Sequence, residues 1–310
     1  MKSKFSGGRI KTGGIKYPNH KLVYEKLTNE QKEFINTKQL DASRTTTDWI
    51  EFFKNLQTHD IAATVKHANF GARVLLITIP LTVLVFVVLF AFTETKTMAL
   101  TLLFIFIGLI VTWIVTYQIS VKLHQKLFPD YFRTVLIPLM SALHEETTEE
   151  ALVHLRVDLR YQMDKSAHLV TKNAFHQVFD WTVFQINTEL LNRIRMDLSV
   201  RIHNNLRIRK SKSKRRVFVN LAFEYDKRAH ENVDLRKITE VPEKMKIKLK
   251  PKPKKHVLRL NRQMKFKDKF FNFYQYTDIH FPELARMIRS GYQAALDKPS
   301  GNSNPRPIIK

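Results

Sequence analysis

The sequence predicts an α+β membrane protein: a two-helix transmembrane hairpin, cytoplasmic helical segments before it, and a β-rich antiparallel domain after it. Three observations carry that prediction. Two long apolar runs stand side by side at residues 74–92 and 98–119. Beyond Ala151 the hydrophobic period changes from helical to two. The 310-residue chain also carries a formal net charge of +24, concentrated in its C-terminal half.

Residues 1–20, with "SGG" and "TGG", are expected to form a flexible tail. Residues 21–73 have helical character, and Asp48 followed by Glu51 resembles a helix start. Trp49, Phe52, Phe53 and Leu56 gather on one face of that helix. The opposite face is not rich in Lys or Arg, so packing on the C-terminal domain is favoured over lying on a bilayer.

The run from Val74 to Phe92 contains no ionisable residue, and neither does the run from Met98 to Ile119. Each is close to the ~20 residues that cross a ~30 Å hydrocarbon core. "TETKT" between them suits a tight turn at the far face. The connector offers only Lys96, whereas Lys54, Lys66 and Arg73 precede the hairpin and Lys122, Lys126 and Arg133 follow it. That asymmetry predicts both termini on the cytoplasmic side of a plasma or inner membrane. The absence of charge within the spans argues against an ion pathway. Thr78 with Thr82, and Thr112 with Thr116, stand at i, i+4 and read as packing or back-bonded hydroxyls. The hairpin therefore reads as an anchor.

Residues 120–150 form a helical connector, broken near Pro129 and ending in "EETTEE". Those carboxylates have no histidine pair or glycine-bearing loop beside them. A solvated loop, or a counter-charge to the basic strands, is the better reading than a metal site.

Residues 151–297 are expected to be the basic β-rich domain, followed by a flexible tail at 298–310. "ALVHLRVDLRY" sets Val153, Leu155, Val157, Leu159 and Tyr161 against His154, Arg156, Asp158 and Arg160. "RIRMDLSVRI" puts Ile194, Met196, Leu198, Val200 and Ile202 inward. "HNN" at His203 and "SKSK" at Ser211 read as turns, and Val217, Val219, Leu221, Phe223 and Tyr225 alternate after them. "MKIKLK" and "HVLRLNRQMKF" repeat the pattern, with PKPK as a stiff connector between them. Strict alternation over several segments predicts an antiparallel sheet with one dry and one wet face. The aromatic cluster Phe270 to Tyr276 is expected in its core. Pro282 suits the first turn of a closing helix striped by Leu284, Met287, Ile288, Ala295 and Leu296.

With no cysteine, the chain has no disulfide, thiolate nucleophile or cysteine metal site. It lacks HExxH, GxSxG and phosphate-loop motifs, and its eight glycines leave little for phosphate-cradling loops. Neither catalysis nor a cofactor is expected. The charge points to a polyanion. Two basic runs are the candidate contacts: Arg207, Arg209, Lys210, Lys212, Lys214, Arg215 and Arg216, then Lys246, Lys248, Lys250, Lys252, Lys254 and Lys255.

The lipid bilayer is the expected partner, with anionic head groups or an acidic protein facing the basic domain. Nucleic acid is less favoured, because Phe218, Phe223 and Tyr225 read with the inward set rather than as a stacking platform. The leading function is a non-catalytic, membrane-anchored binding or scaffolding protein. The alternative is an oligomerising effector whose β-domain senses a ligand and whose hairpins permeate the membrane. A tethered enzyme ranks third.

Overall fold

The computed structural model describes residues 20–91, 106–119, 127–160, 165–173, 175–207, 209, 212–228, 245–269 and 280–295, with isolated positions between 230 and 238. The expected tails, the connector around Lys96, Lys210 and the Phe270–Tyr276 cluster lie outside the described residues. The chain divides into two compact units. One holds the residues up to Leu27 and Thr58–Leu127; the other holds Thr28–Gln57 and the chain from Phe128 onward.

The second unit is built on an eight-stranded, wholly antiparallel sheet. Its strands are β1 (Gln39–Thr45), β2 (Leu152–Asp158), β3 (Leu169–Asn173), β4 (His176–Leu190), β5 (Ile194–Arg207), β6 (Lys212–Asp226), β7 (Met245–Pro251) and β8 (Lys255–Lys269). The order is β1-β2-β4-β5-β6-β8-β7, and β3 pairs with β4 beyond the stretch that β2 occupies. Alternation fixes the register. Ala42, Leu155, Ile186, Leu198, Leu221, Leu260 and Ile247 form one row across seven strands. As expected, Ile194, Met196, Leu198, Val200 and Ile202 are buried while Arg193, Arg195 and Arg201 are exposed.

Helices cover the dry face. Helix α2 (Asn29–Thr37) starts in a capping box, where the Thr28 hydroxyl accepts from the Gln31 amide and Gln31 Oε1 accepts from the Thr28 amide. It ends at Lys38 with φ 58°, a left-handed cap that turns the chain into β1. The first turns of α3 (Thr46–Ala91) bury Trp49, Phe53 and Leu56 in the sheet's core. Trp49 Nε1 donates to the Val153 carbonyl at 2.9 Å. Here the packing reading of that aromatic face holds. A π-helical turn (Phe132–Leu136) leads into α4 (Ile137–Glu146). Helix α5 (Phe281–Ala295) closes the layer: the Tyr225 hydroxyl donates to the Gly291 carbonyl at 2.8 Å. A Cβ on Gly291 would lie 1.9 Å from Phe223 Cε2, so only glycine allows this approach.

The first unit overturns the transmembrane assignment. Among the described residues, no helix is long and apolar enough to cross a membrane. The first apolar run is the end of α3, and residues 106–119 of the second are helical. The two-pass hairpin is therefore not shown. Thr78, Ile79, Thr82 and Val83 of α3 line an apolar groove with Leu109 and Trp113. Thr78, Thr82 and Thr112 each bond the carbonyl four residues earlier, the back-bonded state expected of them. The short helix α1 (His20–Glu25) belongs to this unit, where the His20 and Tyr24 rings lie tilted against His59.

Several local readings change as well. The segment expected to be helical over 21–73 contains β1, which the sheet recruits as an edge strand. "HNN" is not a turn: His203, Asn204 and Asn205 continue β5 in register with Arg216, Arg215 and Lys214. Ser213 and Lys214 likewise lie within β6, so the β5–β6 connection is confined to 208–211.

Candidate polyanion-binding surface

The wet face of the sheet is electrically polarised along the strands. At one end, successive cross-strand rows read Asp180–His203–Arg216–Lys265, then Val178–Asn205–Lys214–Lys267, then His176–Arg207–Lys212. Lys212, Lys214, Arg216, Lys265, Lys267 and Arg207 are all exposed. Directly opposed residues are separated by roughly 5 Å between Cβ atoms, so like charges here repel. Lys214 faces Lys267, Arg216 faces Lys265, and Arg207 faces Lys212. Arg207, Lys212, Lys214 and Arg216 stand on β5 and β6 inside the sheet, whereas β7 pairs with β8 only up to Arg262, so Lys265 and Lys267 lie past its end.

One described carboxylate tempers these rows. Asp180 takes two hydrogen bonds of 2.6 Å from Arg201 and one of 3.2 Å from His203. Partial burial works to raise its pKa, but these bonds and the charges beside it outweigh burial and hold the carboxyl below its ordinary range. Arg201 is raised in turn, chiefly through its bond to Asp180. Asp180 is thus spoken for and does not neutralise the outer rows.

The other end is mixed. Glu189, Arg195, Glu224 and Asp226 lie there beside Lys254 and Lys255, and Lys255 is ion-paired with Glu224. Asp197 on the same face has a raised pKa, first from burial and also from nearby Glu224, against a hydrogen bond from Gln185. The Lys212 and Glu224 rows are twelve positions apart on β6, about 40 Å at strand rise.

The predicted contacts therefore divide. Arg207, Lys212, Lys214 and Arg216 come together at the basic end of the wet face. Lys246 and Lys248 lie farther along the sheet on β7, opposite Asn261 and Arg259 and in the rows of Asn220 and Ala222. Lys250, Lys252, Lys254 and Lys255 sit toward the mixed end, so the two runs are not one patch. Arg209 lies at the tip of the β5–β6 hairpin, its guanidinium 5.5 Å from the Phe175 ring centroid.

Arg215 is a correction. It is 3 % exposed on the dry face, between Asn204 and Phe266, with its guanidinium 5.5 Å from the Phe266 ring centroid. The reason is parity: a strand cannot turn both Arg215 and Arg216 to solvent. The same parity brings Phe218 onto the wet face, opposite Arg201 and Gln263, rather than inward.

Sequence reasoning missed Lys265 and Lys267, although their alternation in "QMKFKDK" was visible. A groove of about 880 Å³ runs past Lys265 and Lys246 around the outer edge of β8, with Phe218, Asn261 and Gln263 in its wall. Among the described residues no group of three or more His, Cys, Asp or Glu side chains is placed to hold a metal ion. The chain matches no family model, no curated protein and no solved structure.

Proposed function

We propose that this protein is a binding protein whose β-sheet domain docks peripherally on a polyanionic surface, with anionic lipid head groups as the partner. Its setting is the cytoplasm-facing leaflet of the plasma or inner membrane. The single observation that supports the reading is the set of opposed like-charge pairs Arg207–Lys212, Lys214–Lys267 and Arg216–Lys265, in which Arg207, Lys212, Lys214 and Arg216 stand on the interior strands β5 and β6. Interior strands have no edge to protect, and each such pair lowers stability by some tenths of a kcal/mol. A polyanion relieves that repulsion on contact. An extended, shallow cationic face suits a planar array of head groups.

The test replaces Lys214, Arg216, Lys265 and Lys267 by Gln in the full chain. Near an anionic surface each cation contributes about 1 kcal/mol, so co-sedimentation with phosphatidylserine-containing vesicles should weaken by about a thousandfold. The wild type should release as salt rises. Unchanged vesicle binding in the quadruple variant overturns the proposal. Retention of structured RNA at physiological salt, with no binding to the vesicles, transfers the surface to nucleic acid.

A further inference from the structure

The tip of the β3–β4 hairpin carries an apolar side chain where turns ordinarily place Gly, Asn or Asp. Phe175 is 59 % exposed, its amide donating to Asn173 Oδ1 at 3.1 Å. The flanking residues Asn173 and His176 pair with each other, and His176 pairs across with Arg207. That register lays the β3–β4 tip beside the β5–β6 tip, at the basic end of the wet face. Arg209 reaches over the Phe175 ring, and Arg207 and Lys212 are exposed in the row that His176 begins. Val170, set at a register shift in β3, is 67 % exposed on the same hairpin.

An isolated exposed apolar residue needs no explanation. An exposed ring beside three cations at the end of a polarised sheet has a specific one. From the proposed lipid docking we infer that Phe175 is an insertion point, entering the head-group–acyl boundary while Arg207, Arg209 and Lys212 stay at phosphate level. Long basic side chains keep their charge in the polar layer while their stems follow an apolar surface. A phenyl ring gains where it leaves water. The wet face then meets the surface tilted toward its basic end, with β3–β4 and β5–β6 leading and the Lys214 and Arg216 rows behind them. Aliphatic Val170 favours lipid over nucleic acid here, because bases stack on rings and not on valine.

The chain has no cysteine, so one introduced thiol reports its own site. Phe175→Cys and Thr182→Cys, each labelled with an environment-sensitive dye, are read in the full chain with phosphatidylserine/phosphatidylcholine vesicles. Thr182 is exposed in mid-strand on the wet face. The dye at 175 should shift to the blue and be quenched by brominated acyl chains; the dye at 182 should not. In unlabelled protein Phe175→Ala should weaken vesicle binding about tenfold, and Phe175→Trp should restore it.

Salt-sensitive vesicle binding with a water-like dye at 175 overturns the insertion and leaves the proposed docking standing. No salt-sensitive binding overturns both. A dye at 175 that responds to single-stranded DNA and not to vesicles overturns the lipid assignment.

Discussion

The basic residues of β6 and β8 and those of β7 belong to one sheet, yet they meet different physical constraints. Strand β7 ends the strand order, and its Lys246, Lys248 and Lys250 project from a rim where unpaired backbone invites another strand. Lysine there discourages edge-to-edge pairing and needs no ligand. Lys214 and Arg216 stand on β6, which has neighbours on both sides, and there they face Lys267 and Lys265 of β8 in a repulsion that protects no edge of their own strand. Similar residue types at similar spacing thus carry different information. Position in the strand order, not charge density, separates a functional candidate from a solubility device.

The largest effect comes from attacking the register that holds the interior rows. Leu198 is fully buried at the centre of the seven-strand row, and Ser199 is its partly exposed neighbour on the wet face. Leu198→Asp introduces an unpaired carboxylate into the core, which should exceed about 4 kcal/mol and abolish the cooperative thermal transition. Ser199→Asp should retain it. Equal tolerance at both positions would remove the physical basis for assigning the basic rows to one face.

A smaller effect sharpens the contrast directly. Threonine in place of Lys246, Lys248 and Lys250 keeps β propensity and removes the rim charge. Sedimentation velocity should then show self-association of the triple variant while vesicle affinity falls less than tenfold. A loss of affinity as large as that of the Lys214, Arg216, Lys265 and Lys267 variant would erase the distinction between β7 and the rows built on β6.

The smallest effect has the opposite sign from most substitutions. Lys214→Glu converts the Lys214–Lys267 repulsion into attraction and should stabilise the fold by about 0.5–1 kcal/mol. That is a rise of roughly 2 °C in Tm for a domain of this size. The same change should weaken vesicle binding. A destabilised variant would mean that the opposed cations were not a cost to the sheet.

The sheet was legible wherever alternation was unbroken. Ile194 to Ile202 and Val217 to Tyr225 could be assigned to the dry face residue by residue. Strand β4 escaped because its pairing with β5 shifts between Thr182 and Phe184, so Val183 and Phe184 are both buried and the period of two fails. Strand β1 escaped because "QLDASRT" buries only Leu40 and reads as polar loop. The candidate surface was half visible. Reading 211–214 as a turn lost the parity that sends Arg215 inward and Phe218 outward. Lys265 and Lys267 were passed over because they lack the density of the PKPK run. The transmembrane hairpin failed differently: apolar length in a sequence reports hydrophobicity, and no helix of sufficient length and apolarity is found among the described residues.

The pairing of β1 with β2 has a kinetic consequence. Gln39 and Asp158 meet across 119 residues of chain, and the length-dependent part of closing such a loop is about 4 kcal/mol. During synthesis α2 and β1 emerge long before any strand that can receive them, and the intervening chain contributes Thr58–Leu127 to a separate unit. β4, β5 and β6 are joined by short connections and have local partners throughout. The meander is therefore the element that assembles first, and the N-terminal strand is a late addition that seals its β2 edge. Chains stalled before that step expose β2 as an open template, so the hazard of misassembly lies at the opposite rim from the lysines of β7.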